Sequence, residues 1–225
     1  MPTRTPDFEK EFVKAIRKNL KTVVIELENA DPNLLKKIKT FATRFTFLES
    51  EVKKKIIADE MFRAHFAKDP GKQKIHENIA AAFIENLPEV SNFKQLSHDD
   101  LQILGGAVIS RKEARKGGGT SNAKSLDFSW ETGGVQIYAS HKFTKSSGGA
   151  QDNQYKDLQD FIREANTSNR KDTIFLAIAD GGYYLKNDSE TGTSKLARLK
   201  KMANKESVFA VSIDELEEFL KKLAR

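Results

Sequence analysis

The chain has 225 residues and no cysteine, with 38 lysines and arginines against 32 aspartates and glutamates, a net charge of +6. Disulfides, zinc–thiolate sites, iron–sulfur clusters and cysteine nucleophiles are thereby excluded. The basic excess favours polyanionic partners. The absence of cysteine fits a reducing cytoplasm, and no apolar run approaches the ~20 residues that cross a bilayer, so no membrane partner is expected.

The first residues carry acids at Asp7, Glu9 and Glu11 and no apolar h-region, so a secretory signal is not expected there. Apolar residues at Phe8, Phe12, Val13, Ile16, Leu20, Val23, Val24 and Leu27 repeat at helical spacing. Asp31-Pro32 opens a second helix, with Asp31 as N-cap and Pro32 in the first turn. A third helix is predicted from Ser50 to about Ala67, and a fourth from Lys72 to Asn86, stopped by Pro88. Ser97-His98-Asp99-Asp100 reads as the cap of a short helix through Leu104. The lysine runs at 36–39 and 53–55 read mainly as solvated helix faces. His65 and His76 lack metal-ligand spacing.

Three regions follow: a helical region over 1–104, a basic glycine-rich loop over 105–123 and an α/β core over 124–225. The loop carries Arg111, Lys112, Arg115 and Lys116 between glycine clusters. Its cations suit phosphate, and its glycines equally suit a plain linker.

From Lys124 the period changes from 3.6 to 2. Residues 125–131 and 135–143 alternate around Thr132-Gly133-Gly134, the signature of an antiparallel hairpin. Alternation places Leu126, Phe128 and Trp130 on one face and Asp127, Ser129 and Glu131 on the other. With the apolar faces aligned, Asp127 lies on the side of Ser140 and Lys142. A helix over about 151–165 follows, then the apolar run 173–179 of a strand covered on both faces. Asp180-Gly181-Gly182 ends that strand. A last strand at 207–211 leads to the capping box Ser212-x-x-Glu215 of a final helix. The expected fold class is α/β, a mixed β-sheet flanked by helices behind a helical N-terminal half.

The order Asp127, hairpin, Ser140-His141-Lys142, glycine loop, helix, apolar strand resembles the PD-(D/E)xK nuclease core. It is most similar to type II restriction endonucleases, over Lys124 to Tyr184. The triplet's acid is replaced by Ser140. Some members of the family share this Ser-x-Lys form and take a carboxylate from the following helix. The resemblance implies a restriction-endonuclease-like fold and a homodimer that cuts double-stranded DNA with Mg²⁺. It implies metal ligation by Asp127, by a second acid and by the His141 carbonyl, with Lys142 as the charge-stabilising amine and Ser140 supporting it. Asp152 is the preferred second acid, Glu131 the alternative, and Gln154 a neutral candidate beside the metal. Arg111, Lys112, Arg115, Lys116 and Lys145 are the expected DNA contacts. Replacement of the triplet acid also leaves open a non-catalytic nucleic-acid-binding protein on the same core.

Overall fold

The computed structural model describes residues 5–97, 100–116, 123–146, 149–189 and 191–224. The fold is mixed α/β, in two compact units that divide between Ile79 and Ala80.

The helical unit follows the apolar periodicity. Helix α1 spans Phe8–Glu28, capped by Asp7, whose carboxylate accepts from Lys10 N at 3.0 Å. Helix α2 spans Pro32–Phe45, with the Asp31 carboxylate accepting from Asn33 N and Leu34 N. The single helix expected over 50–67 is instead two, α3 (Glu49–Ala58) and α4 (Glu60–Arg63). Asp59 makes the break: its backbone is extended and its side chain caps α4. Pro70–Gln73 forms a 3₁₀ turn, and Lys74, at φ 55°, separates it from α5 (Ile75–Glu85). Val23, Leu34, Ile38, Val52, Ile56 and Phe66 make this unit's core.

The predicted helical region does not extend to Leu104. Strands β1 (Ser91–Gln95), β2 (Leu101–Leu104) and β3 (Ala107–Ser110) occupy its end. His98 and Asp99 of the predicted cap lie outside the described residues. Asp100 accepts from Ser97 N through its side chain, but the turn it closes feeds a strand. Gly105 and Gly106 explain why. Both have positive φ, 57° and 77°, as a tight hairpin turn requires, so they join β2 to β3. A Cβ on Gly106 would also overlap the backbone of Ser168. The described part of the predicted basic loop is therefore regular structure: hairpin, β3, then α6 (Arg111–Lys116). Its glycines at 117–119 lie outside the described residues, as does Gly148 of the later glycine loop.

The second unit holds two sheets. The smaller has the order β3-β2-β4, with β4 at Lys124–Ser125. The larger has the order β1-β5-β6-β7-β8, with β5 at Phe128–Thr132, β6 at Val135–Phe143, β7 at Thr173–Asp180 and β8 at Val208–Val211. β6 is antiparallel to β5 and parallel to β7, and β7 is parallel to β8. The edge strand β1 is irregular: its register shifts between Ser91 and Lys94, and Asn92 has φ 53°.

Every residue of β7 is buried. Phe175, Ala177 and Ala179 share a core with Leu158, Phe161 and Ile162 of α7 (Gly149–Asn166) and Leu199 of α9 (Lys195–Met202). The alternate residues face α10 (Ile213–Leu223), where Phe209 and Phe219 rings lie 5.0 Å apart. The Ser212–Glu215 capping box forms as the spacing requires. Leu126 departs from the alternation: it packs in the α7 core, because the chain crosses between the two sheets at Leu126–Asp127. Among the described residues no helix is long and apolar enough to cross a membrane.

Gly181 locks the end of β7 against the end of β6. Its φ is 89°, and a Cβ there would overlap the carbonyl of Thr144. Gly181→Ala combines left-handed strain with a backbone collision. It is expected to destabilise the fold by about 2–4 kcal/mol, read as a fall in urea midpoint at unchanged slope.

Candidate active site

The site forms where the two sheets meet. Asp127 stands at the crossing, and its backbone is clamped on both sides. Its N–H donates to Ala139 O, and its carbonyl accepts from Leu96 N, each at 2.9 Å. Its side chain is buried, and Oδ2 accepts from His141 N at 2.8 Å and Ser140 Oγ at 3.2 Å. Lys142 Nζ lies 3.7 Å from the same oxygen. Asp127, Ser140 and Lys142 are thus brought together on the α7 side of the sheet, where Ser140 and Lys142 pair in register with Ala177 and Ala179.

The His141 ring lies on the opposite face. Its Nε2 is 3.3 Å from Asp180 Oδ2, both side chains being buried. Asp180 Oδ1 accepts from Ile213 N, the first residue of α10. The imidazole thus packs beside the Asp180 carboxylate of β7, which in turn bonds α10, and it is the backbone N–H of His141 that meets Asp127.

A cleft of about 190 Å³ opens beside Ser140 and Lys142, lined also by Gln102, Lys124, Ser125 and Asp157. That volume is several times the ~30 Å³ of a water in the liquid. Asp157 is the acid that α7 presents to this cleft. Asp152 is otherwise engaged: its carboxylate accepts a short hydrogen bond from Tyr183 Oη. Burial, reinforced by this bond, pushes the Tyr183 phenol above its ordinary range, so it remains a donor. Lys195 Nζ covers the Tyr183 ring at 4.2 Å, a cation–π contact. Glu131 accepts from Asn92 Nδ2 at 3.1 Å, and Gln154 accepts from Thr144 Oγ1 at 2.7 Å.

Lys124, which the sequence reading passed over, bridges Asp157 at 3.2 Å and Asp160 at 3.0 Å. Burial disfavours its charge, but the hydrogen bonds it donates to Asp160 and Asp157 outweigh that and hold the ammonium above the usual lysine range. It is charged at neutral pH. By helix spacing Asp157 and Asp160 point away from the apolar stripe of α7, so nothing in the sequence marked Asp157 for a role, yet it lines the cleft. Lys124 had no signal either, because its partners are non-local.

Of the expected DNA contacts, Arg111, Lys112 and Lys116 lie on α6, with Lys112 and Lys116 exposed. The Arg115 side chain lies outside the described residues. Lys145 is exposed beyond β6, against the 180–182 turn.

Mg²⁺ takes hard oxygen ligands and is commonly held by one or two carboxylates, with water and phosphate completing the shell. Asp127 and the cleft-lining Asp157 suit it in kind. Among the described residues no group of three or more acids or histidines is close enough to form a cage made by the protein alone.

No protein-family model matches the chain, and no curated protein matches it. A solved structure, protein VC1899 from Vibrio cholerae, aligns with 98% of this chain at 10% identity and a TM-score of 0.35. The chain spans 56% of the length of that protein.

Removing the Asp127 carboxylate strands the buried His141 N–H. Asp127→Ala is therefore expected to cost about 1–3 kcal/mol in chemical denaturation. Asp127→Asn, which retains an acceptor oxygen, is expected to cost less. The asparagine variant is thus the one in which a loss of chemistry can be separated from a loss of fold.

Proposed function

We propose that the chain is a Mg²⁺-dependent endonuclease acting on double-stranded DNA in the cytoplasm, of the type II restriction class and working as a homodimer. The observation that carries this reading is the convergence of Asp127, Ser140 and Lys142 on adjoining strands, with Ser140 and Lys142 lining a polar cleft. The Ser-x-Lys resemblance and the basic charge support it.

In this reading Asp127 and Asp157 hold the metal, and Asp152 serves the Tyr183 contact instead. The ion, when bound, lowers the pKa of a ligated water and offsets charge on the phosphate oxygens. Lys142 places an ammonium where negative charge develops on the oxygens of the pentavalent transition state. Ser140 and His141 N fix the Asp127 carboxylate before substrate arrives, so little reorganisation is needed at the reacting centre. Lys124 holds Asp157 on the cleft wall.

The Lys124–Asp157 pair also favours a second reading. An acid already neutralised by lysine is a poorer metal ligand, as in a nucleic-acid-binding protein that does not cut.

Supercoiled plasmid in Mg²⁺ separates the two. Cleavage is expected, falling at least about a hundredfold in Lys142→Ala and Asp127→Asn, as loss of one charge-stabilising group does elsewhere. Asp157→Asn is expected to fall similarly, with Asp152→Asn retaining activity. Intact plasmid in both Mg²⁺ and Mn²⁺, with DNA still bound by the wild-type chain, would establish the second reading.

A further inference from the structure

The helical unit carries a cleft that the nuclease reading does not use. It is about 440 Å³, within the ~300–1,000 Å³ of small-molecule sites. Its wall is α2, which presents Lys36, Lys37, Phe41, Arg44 and Phe45 at helical spacing, and His65 closes the far side. Phe66 is the buried floor. Two properties stand together here. Flat rings are available, since Phe45 is 52% exposed and His65 is exposed, while Phe41 packs behind them at a tilt, its centroid 4.6 Å from Phe45 and 6.1 Å from His65. Three cations surround those rings, and no acidic side chain is among the lining residues.

An apolar partner protein would account for the rings but not for three cations with no acid among the lining residues. A duplex would account for the charge but would leave an exposed phenylalanine in water, because its bases are stacked away. Unpaired nucleotides answer both: the base stacks on an aromatic face, and its phosphates meet the cations. The same unit has a second cationic surface, the α1 face of Lys14, Arg17, Lys18 and Lys21, spaced by three and four residues.

We propose that the α2 cleft is a binding site for single-stranded nucleic acid, with one base seated against Phe45 and His65 and the flanking phosphates on Lys36, Lys37 and Arg44. This site is independent of whether the sheet-bearing unit cuts DNA.

The test is fluorescence anisotropy of the full chain with labelled oligothymidylate and with duplex of equal length, in EDTA so that metal-supported cleavage plays no part. Phe45→Ala is expected to weaken oligothymidylate binding roughly tenfold and leave duplex binding unchanged. Lys36→Ala/Arg44→Ala is expected to lower the slope of log affinity against log salt by about 1.4, two single-strand phosphate contacts. If Phe45→Ala lowers the melting temperature, Phe45→Leu keeps the contact with Phe41, loses the ring and carries the same comparison. Failure of the wild-type chain to bind oligothymidylate overturns the proposal. So does equal affinity in the Phe45 variants, or an effect of those variants confined to anionic vesicles or to self-association.

Discussion

One buried carboxylate organises the sheet-bearing unit. Asp127 sits where the chain leaves the small sheet and enters the large one, a place where strand pairing alone would leave backbone groups unsatisfied. Its own backbone bonds to Ala139 and Leu96, and its side chain takes the N–H of His141 and the hydroxyl of Ser140. A charge buried at such a position is tolerable only when donors surround it, and in a low dielectric each of those bonds is stronger than in water. Lys142 offsets the remaining charge at 3.7 Å. Ser140 and Lys142, which meet Asp127 at the crossing, also line the cleft, so structural and chemical demands on Asp127 cannot be separated by simple deletion.

The opposite face of β6 does different work. The buried Asp180 carboxylate meets the His141 ring and bonds the N-terminus of α10, while the parallel pairing of β6 and β7 keeps the register that brings Ser140 and Lys142 to the α7 side. Alternation along one strand thus separates a polar site from a structural latch by a single residue.

That alternation was readable in the sequence. Period-two patterning from Lys124 to Phe143 was enough to set Asp127 beside Ser140 and Lys142, and the all-apolar 173–179 run announced a strand covered on both faces. What failed was local reading where non-local pairing decides. Leu101–Leu104 is too short to declare a period, and it became a strand because the Gly105-Gly106 turn returns β3 alongside it. Asp152 looked inward from helix spacing, but Tyr183, distant in sequence, takes it. Lys124 reads as an ordinary lysine until α7 sets two aspartates beside it. Asp59 and Lys74 broke helices that apolar spacing alone would have continued, because capping and left-handed backbone are properties of single residues rather than of a repeat.

The irregularity of β1 bears on how copies of this chain could associate. A smooth outer strand offers a row of unpaired peptide groups on which another molecule can crystallise its own strand, the first step toward fibrils. Here that rim is short, kinked at Asn92 and marked by Lys94, so an incoming backbone finds no straight template. Growth by sheet continuation is blocked at this border, and a two-fold partner approaching from this side would have to be recognised through side chains instead.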